Sequence, residues 1–240
     1  MKKLFSTIIC CLICSTAFMQ VKPEWQDETI PFIGKEYPRT AFMTYSNVDK
    51  ARSNDFNTSP DYKSLNGKWK FNWVSSYKKR PVNFYKTNFD DSTWEEIDVP
   101  ANWEVNGYGN ALYTNHPYEF CPRNPQPPLL PEENPVGSYR KYIEIPEQWN
   151  GKEIFLHIGA VKSGCYLYVN GTKVGYSEDS KTAVEYNITR YLKPGRNLIA
   201  LEVYRWSTGS YLECQDFWRI SGIERDVYLF AQLPLHLRDF

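Results

Sequence analysis

Residues 204–226 read YRWSTGSYLECQDFWRISGIERD and hold the densest set of chemically capable side chains in the sequence. Trp, Tyr, Arg and acids are interleaved there around Gly209 and Gly222. The mixture is too polar for a plain core strand and too aromatic for a plain loop. One reading is a shaped polar surface of the kind that holds sugar hydroxyls. The other is a long structured loop whose aromatics plug the end of a β-sandwich.

The elements that must position this stretch are strands. Residues 68–74 alternate polar and large apolar side chains (Trp69, Phe71, Trp73), as a half-buried strand does. Residues 139–145 place Tyr139, Lys141, Ile143 and Ile145 on one face, and 154–158 and 166–169 read as further strands. Asn170-Gly171 then separates YLYV from TKVGYS, which predicts a type I′ hairpin, because both central residues need positive φ. Residues 197–204 alternate again, and 227–230 close the series. Many short strands with turn residues between them predict an all-β, jelly-roll β-sandwich over 51–232. Residues 21–50, broken by Pro23, Pro31 and Pro38, predict an irregular N-terminal arm lying over the domain. Residues 233–240 read as a linker and the start of a strand belonging to a next domain that is absent.

Between Pro100 and Pro135 periodicity is lost, and prolines recur at 117, 122, 125, 127, 128 and 131. A long Pro-rich excursion is either functional or pinned to a neighbour. The cost of leaving Trp103, Tyr108, Tyr113, Tyr118 and Phe120 in water predicts the pinned state.

The sequence has 240 residues, 16% aromatics and a formal net charge of zero, so there is no electrostatic case for nucleic acid or an anionic membrane. Residues 1–20 read as a signal peptide, with Lys2 and Lys3 ahead of an apolar run over 4–18 that is too short to span a bilayer comfortably. That predicts soluble export to the periplasm or the medium of a bacterium, with Cys10, Cys11 and Cys14 removed. Cys121, Cys165 and Cys214 remain, an odd set that makes no disulfide framework. Cys165 reads as a buried thiol, while a Cys121–Cys214 bridge is open to an exported chain.

Several long segments occur in a fixed order: SLNGKWKFNW (64–73), FDDSTWEEIDVPANWEVNGYGNALYTN (89–115), ENPVGSYRK (133–141), GYSEDSKTAVEYNITRYLKPGRNLIALEVYRW (175–206) and the 204–226 stretch. Together they resemble the first, sugar-binding domain of bacterial β-galactosidases of glycoside hydrolase family 2, over about residues 24–232. The resemblance implies the same jelly roll. It also implies a role in hydrolysing terminal β-D-galactosyl residues, with the catalytic carboxylates in a later (β/α)8-barrel domain.

Retaining glycosidases need two carboxylates about 5 Å apart. Asp90-Asp91, Glu95-Glu96, Glu132-Glu133 and Glu178-Asp179 are adjacent in sequence, so in extended chain they point to opposite sides. They read as solvent-facing turn residues, and the 240 residues alone are expected to be inactive.

The resemblance carries three residues into a binding site. Asn115, in Tyr113-Thr114-Asn115, matches an Asn that hydrogen-bonds the galactosyl group; an amide both donates and accepts, as hydroxyls do. By itself Asn115 would read as a turn cap. Asp216 matches an Asp that contacts a sugar hydroxyl and a bound Na+, an ion completed by residues beyond this chain. A carboxylate among aromatics is expensive unless paired; hydroxyls and a hard cation would offset that, as would a salt bridge to Arg205, Arg219 or Arg225. His116 departs from the family's Ile or Val and either adds a donor near the substrate or fills space. Cys214 stands where the family often has the first Asp of LEDQD. Mg2+ is possible in the missing catalytic domain. His157 sits in a strand pattern and reads as structural.

The expected partners are therefore a galactoside, the following domains and further copies in a homo-oligomer, with no nucleic acid and no membrane. The competing expectation is a stand-alone, lectin-like carbohydrate-binding module without hydrolase activity.

Overall fold

A computed structural model describes residues 22–115 and 118–240. The proposed signal peptide and His116 lie outside the described residues. In chain order the strands are β1 (Phe32–Ile33), β2 (Tyr62–Ser64), β3 (Gly67–Val74), β4 (Glu95–Val99), β5 (Ala101–Asn102), β6 (Leu112–Thr114), β7 (Val136–Glu144) and β8 (Glu153–Ile158). They continue with β9 (Val161–Lys162), β10 (Gly164–Val169), β11 (Thr172–Ser177), β12 (Val184–Asn187), β13 (Arg196–Tyr204), β14 (Phe217–Arg219), β15 (Gly222–Ile223) and β16 (Val227–Gln232). The all-β expectation holds: among the described residues helix is confined to Val48–Ser53 and a few 3-10 turns.

Two antiparallel sheets make the sandwich. One runs β1-β11-β10-β13-β7-β3-β4 and the other β12-β8-β16-β2. Between them lie Trp69, Phe71, Tyr139, Leu156, Leu167, Leu201 and Leu229, all buried. The Asn170-Gly171 hairpin forms as expected, with φ of 51° and 89°. Asn170 also anchors the next strand, since its Oδ1 accepts from the Leu198 amide at 2.9 Å.

The arm covers both outer faces. Trp25 stacks on Tyr204 with ring centroids 4.8 Å apart on the large sheet. Met43 joins Phe155, Tyr228 and Phe230 on the small one. Between them Arg39 grips Glu185 of β12 with a two-pronged pair of hydrogen bonds, each 2.9 Å. His157 is structural: its Nδ1 lies 2.9 Å from Glu185, and its ring stacks on Tyr228.

Four details depart from the sequence reading. The strand expected at 139–145 begins at Val136, and its polar face is buried too. Arg140 there is 1% exposed, held by Asp91 at 2.6 Å and by the carbonyls of Phe84 and Lys86. Consequently Asp91 is not a solvent-facing turn acid. Nor is Glu178, which is buried and accepts from Tyr176, Thr208 and the Gly209 amide. Residues 235–240 form no strand; they return to the arm, where the Thr40 amide donates to Asp239 at 2.9 Å.

Candidate functional site

The chemically rich stretch leaves β13 through buried Arg205, makes a 3-10 turn at Thr208–Tyr211 and returns as β14. A capping box closes the turn, with Ser207 and Ser210 each satisfying the other's backbone. Phe217, Trp218 and Arg219 then pair with Thr114, Tyr113 and Leu112 of β6. The result is a two-stranded ribbon that belongs to neither main sheet.

Asn115 follows Thr114 and Asp216 precedes Phe217, so both sit just past the last rung, side by side at the ribbon's open end. Side chains alternate along strands. Tyr113 and Trp218, paired across the ribbon, therefore share one face. The contacts agree: Tyr113 and Trp218 rings meet at 5.6 Å, and Tyr113 Oη donates to Asp216 Oδ1 at 2.5 Å. That bond pushes the Tyr113 phenol above its ordinary range, so it remains a donor.

Asp216 is exposed, with no salt bridge among the described residues, and the expected carboxylate wedged among aromatics is not what folds. The reason is that the arginines are already engaged. Arg205 pairs with Glu104 at 3.0 Å, Arg219 pairs with Glu119 at 3.4 Å, and Arg225 donates to the Lys181 carbonyl. Asp216 keeps Oδ2 free of hydrogen bonds within the described residues, open to an incoming hydroxyl or cation.

The ribbon's base is tied down by a buried ion pair and its hydrogen bonds. Arg205 donates to the carbonyls of Asn110 and Arg219, each at 3.1 Å, so it holds the roots of both strands. Its partner Glu104 also accepts from the Ser221 amide at 2.8 Å. Burial raises the Glu104 carboxyl, and the Ser221 amide and Arg205 pull it part of the way back. The Pro-rich excursion is pinned beside this base, as its aromatic content predicts. Tyr118 and Phe120 pack on Tyr211 at 4.9 and 5.1 Å, and Trp206 Nε1 donates to Glu119 at 2.9 Å. Tyr113 departs from the expectation: it stays 59% exposed.

Cys121 and Cys214 are both free thiols flanking this cluster, and Cys165 is buried. Burial, then the nearby Glu119 carboxylate, push the Cys214 thiol up to about 11. No group of three or more Asp, Glu, His or Cys is gathered to hold a metal among the described residues. Any cation at Asp216 needs ligands from elsewhere. Tyr113, Glu104 and Glu119 were missed by sequence reasoning; their roles arise from pairings across the fold that no local pattern signals.

The family model for glycosyl hydrolases family 2, sugar binding domain, matches residues 62–234. The chain is 40% identical over 221 residues to a β-galactosidase of Priestia megaterium, covering 91% of this chain and 21% of that protein. It is 37% identical over 217 residues to the β-galactosidase of Vibrio cholerae, covering 90% and 21%. Among solved structures it resembles a Bacteroides uniformis β-glucuronidase at TM-score 0.55 and 26% identity, covering 72% of this chain and 18% of that one. The chain thus spans about a fifth of the length of the curated relatives it matches.

Proposed function

Because this chain belongs to glycosyl hydrolases family 2 through its sugar-binding domain, we propose that it serves as the first domain of an exported β-galactosidase. In this reading the ribbon end reaches into an active site whose catalytic carboxylates lie in other domains. The observation that carries it is the ribbon register, whose last rung, Thr114 opposite Phe217, leaves the adjoining Asn115 and Asp216 at the same exposed end. An amide and a carboxylate side by side supply one mixed donor–acceptor and one pure acceptor, a set that suits two sugar hydroxyls.

Na+ is the cation this reading assigns to Asp216. The residues present fit one part of such a site: Asp216 offers a hard, exposed oxygen, and Tyr113 already satisfies its Oδ1. When bound, the ion supplies a fixed positive charge that orients a sugar oxygen. This chain's own contribution is to hold Asp216 in place through Tyr113 and the ribbon base. The 240 residues alone are inactive in this reading, since they bring no carboxylate pair suited to glycoside cleavage. Export rests on the apolar run at 4–18. Assembly of several copies is part of the same reading.

The test is steady-state hydrolysis of a β-galactoside by the full-length protein across a sodium titration. Asp216→Ala is expected to raise KM and flatten the sodium response. Unchanged kinetics at low sodium would refute the assignment. Absence of any hydrolase activity from the full-length protein, with sugar binding retained, would support the lectin-like alternative.

A further inference from the structure

Gln215, Phe217 and Arg219 alternate with Asp216 and Trp218, so they face the back of the ribbon. There they line a cavity of about 280 Å3 that also takes in Lys162, Asp179 and Lys181. Lys162 ends β9, opposite Gly222 of β15, and is only 8% exposed. Its ammonium makes no hydrogen bond or ion pair with any other described residue. Burial draws its ammonium below the ordinary lysine range, against the opposing pull of Glu119 and Glu213.

The neighbouring cations are not in that condition. Lys181 is paired with Glu224, and Arg219 with Glu119. Glu213 is occupied by the Ser180 amide and hydroxyl at 2.8 and 2.5 Å. What remains facing the cavity is the Lys162 ammonium as donor, with the exposed Asp179 carboxylate as acceptor and the Gln215 amide, which can be either. The Lys162 side chain is largely buried, so its ammonium opens only to the cavity with no protein acceptor, and a ligand bringing oxygen lone pairs would supply one.

We propose that the cavity behind the ribbon is a second binding site, taking one neutral sugar ring through a vicinal pair of hydroxyls. One hydroxyl accepts from Lys162 while its neighbour donates to Asp179. The charge count argues against an anion, since three cations (Lys162, Lys181, Arg219) meet four carboxylates (Asp179, Glu213 and the partners Glu119 and Glu224), and the unpaired Lys162 ammonium argues against a cation. An added anion would worsen that balance. The volume is at the small end for ligand pockets and suits a single ring, not a chain of them. The site is independent of Asp216, which points to the opposite face.

Reductive dimethylation of the full-length protein, read at Lys162 by peptide mass spectrometry, tests this. Saturating D-galactose is expected to slow labelling of Lys162 about tenfold or more, leaving exposed lysines such as Lys173 unaffected. The protection should persist in the Asp216→Ala protein, which separates this site from the proposed galactosyl site. In titration calorimetry of that Asp216→Ala background, adding Lys162→Met should weaken hexose binding about tenfold. Unchanged labelling with galactose overturns the proposal. So does a Lys162 that never reacts, because its ammonium is then closed to any ligand. Loss of protection on Asp216→Ala would merge the cavity with the first site. Equal protection by D-glucuronate would show an anion site instead, and either result refutes the inference.

Discussion

Tyr113 Oη donates to Asp216 Oδ1 at 2.5 Å across a gap of 103 residues in sequence, and this bond fixes the one exposed carboxylate at the ribbon's end. Asp216→Ala lies at the surface and should change unfolding free energy by no more than about 0.5 kcal/mol. Its effect in the full-length protein should fall on KM for galactosides. Tyr113→Phe should leave Asp216 in place but less oriented, raising KM by a smaller factor with kcat nearly unchanged. Parallel urea melts and kinetics on both variants check this, and a large loss of stability on Asp216→Ala would count against a surface role.

Glu104 and Arg205 pair at 3.0 Å beneath the ribbon, and both are buried. Glu104→Ala leaves the guanidinium uncompensated and should cost about 3–5 kcal/mol in urea unfolding. Because Arg205 roots both ribbon strands, the same variant should also loosen the ribbon. Faster amide hydrogen exchange in 112–114 and 217–219 is the expected sign, and unchanged exchange there would deny Arg205 that anchoring role.

Gly137 has no room for a methyl group. An added Cβ would lie 2.6 Å from Trp103 Cζ2 and 2.9 Å from Phe71. Both rings belong to the sandwich core, so Gly137→Ala should destabilise by about 1–3 kcal/mol through overpacking. A thermal or denaturant melt decides it.

Glu185 ties the arm to the small sheet. Burial opposes its ionisation, but the hydrogen bonds from His157 and Arg39, and their charges, outweigh it and hold the carboxyl below its ordinary range. A carboxyl whose folded pKa is depressed stabilises the fold fully above its unfolded value, and that contribution fades as pH falls toward the folded value. Stability should therefore fall on acidification across that window, and Glu185→Gln should flatten that part of the curve. Melting temperatures of both proteins, measured from neutral pH into the acid range, give the comparison.

Local pattern was enough for the strands with one clear apolar stripe. Alternation placed Trp69 and Phe71 in the core, and Asn170-Gly171 set its hairpin because few other residues accept that backbone. Alternation failed at Arg140, a polar-face residue that is nonetheless buried. The segment covering it is distant in sequence, and its partner Asp91 lies 49 residues away. The short ribbon strands were equally illegible, since three-residue ladders carry too little periodicity to stand out from a loop.

For the site, the ordered motifs of the sequence by themselves determined the family and singled out Asn115 and Asp216. Only the tertiary structure decided that these two come to the same end of the ribbon, that Asp216 is exposed and bonded to Tyr113, and that the largely buried Lys162 side chain has no partner among the described residues. The physical reason is pairing at long range. Which arginine takes which acid, and which strand ends meet, depends on how separate parts of the chain are brought together, and a linear pattern does not record those distances.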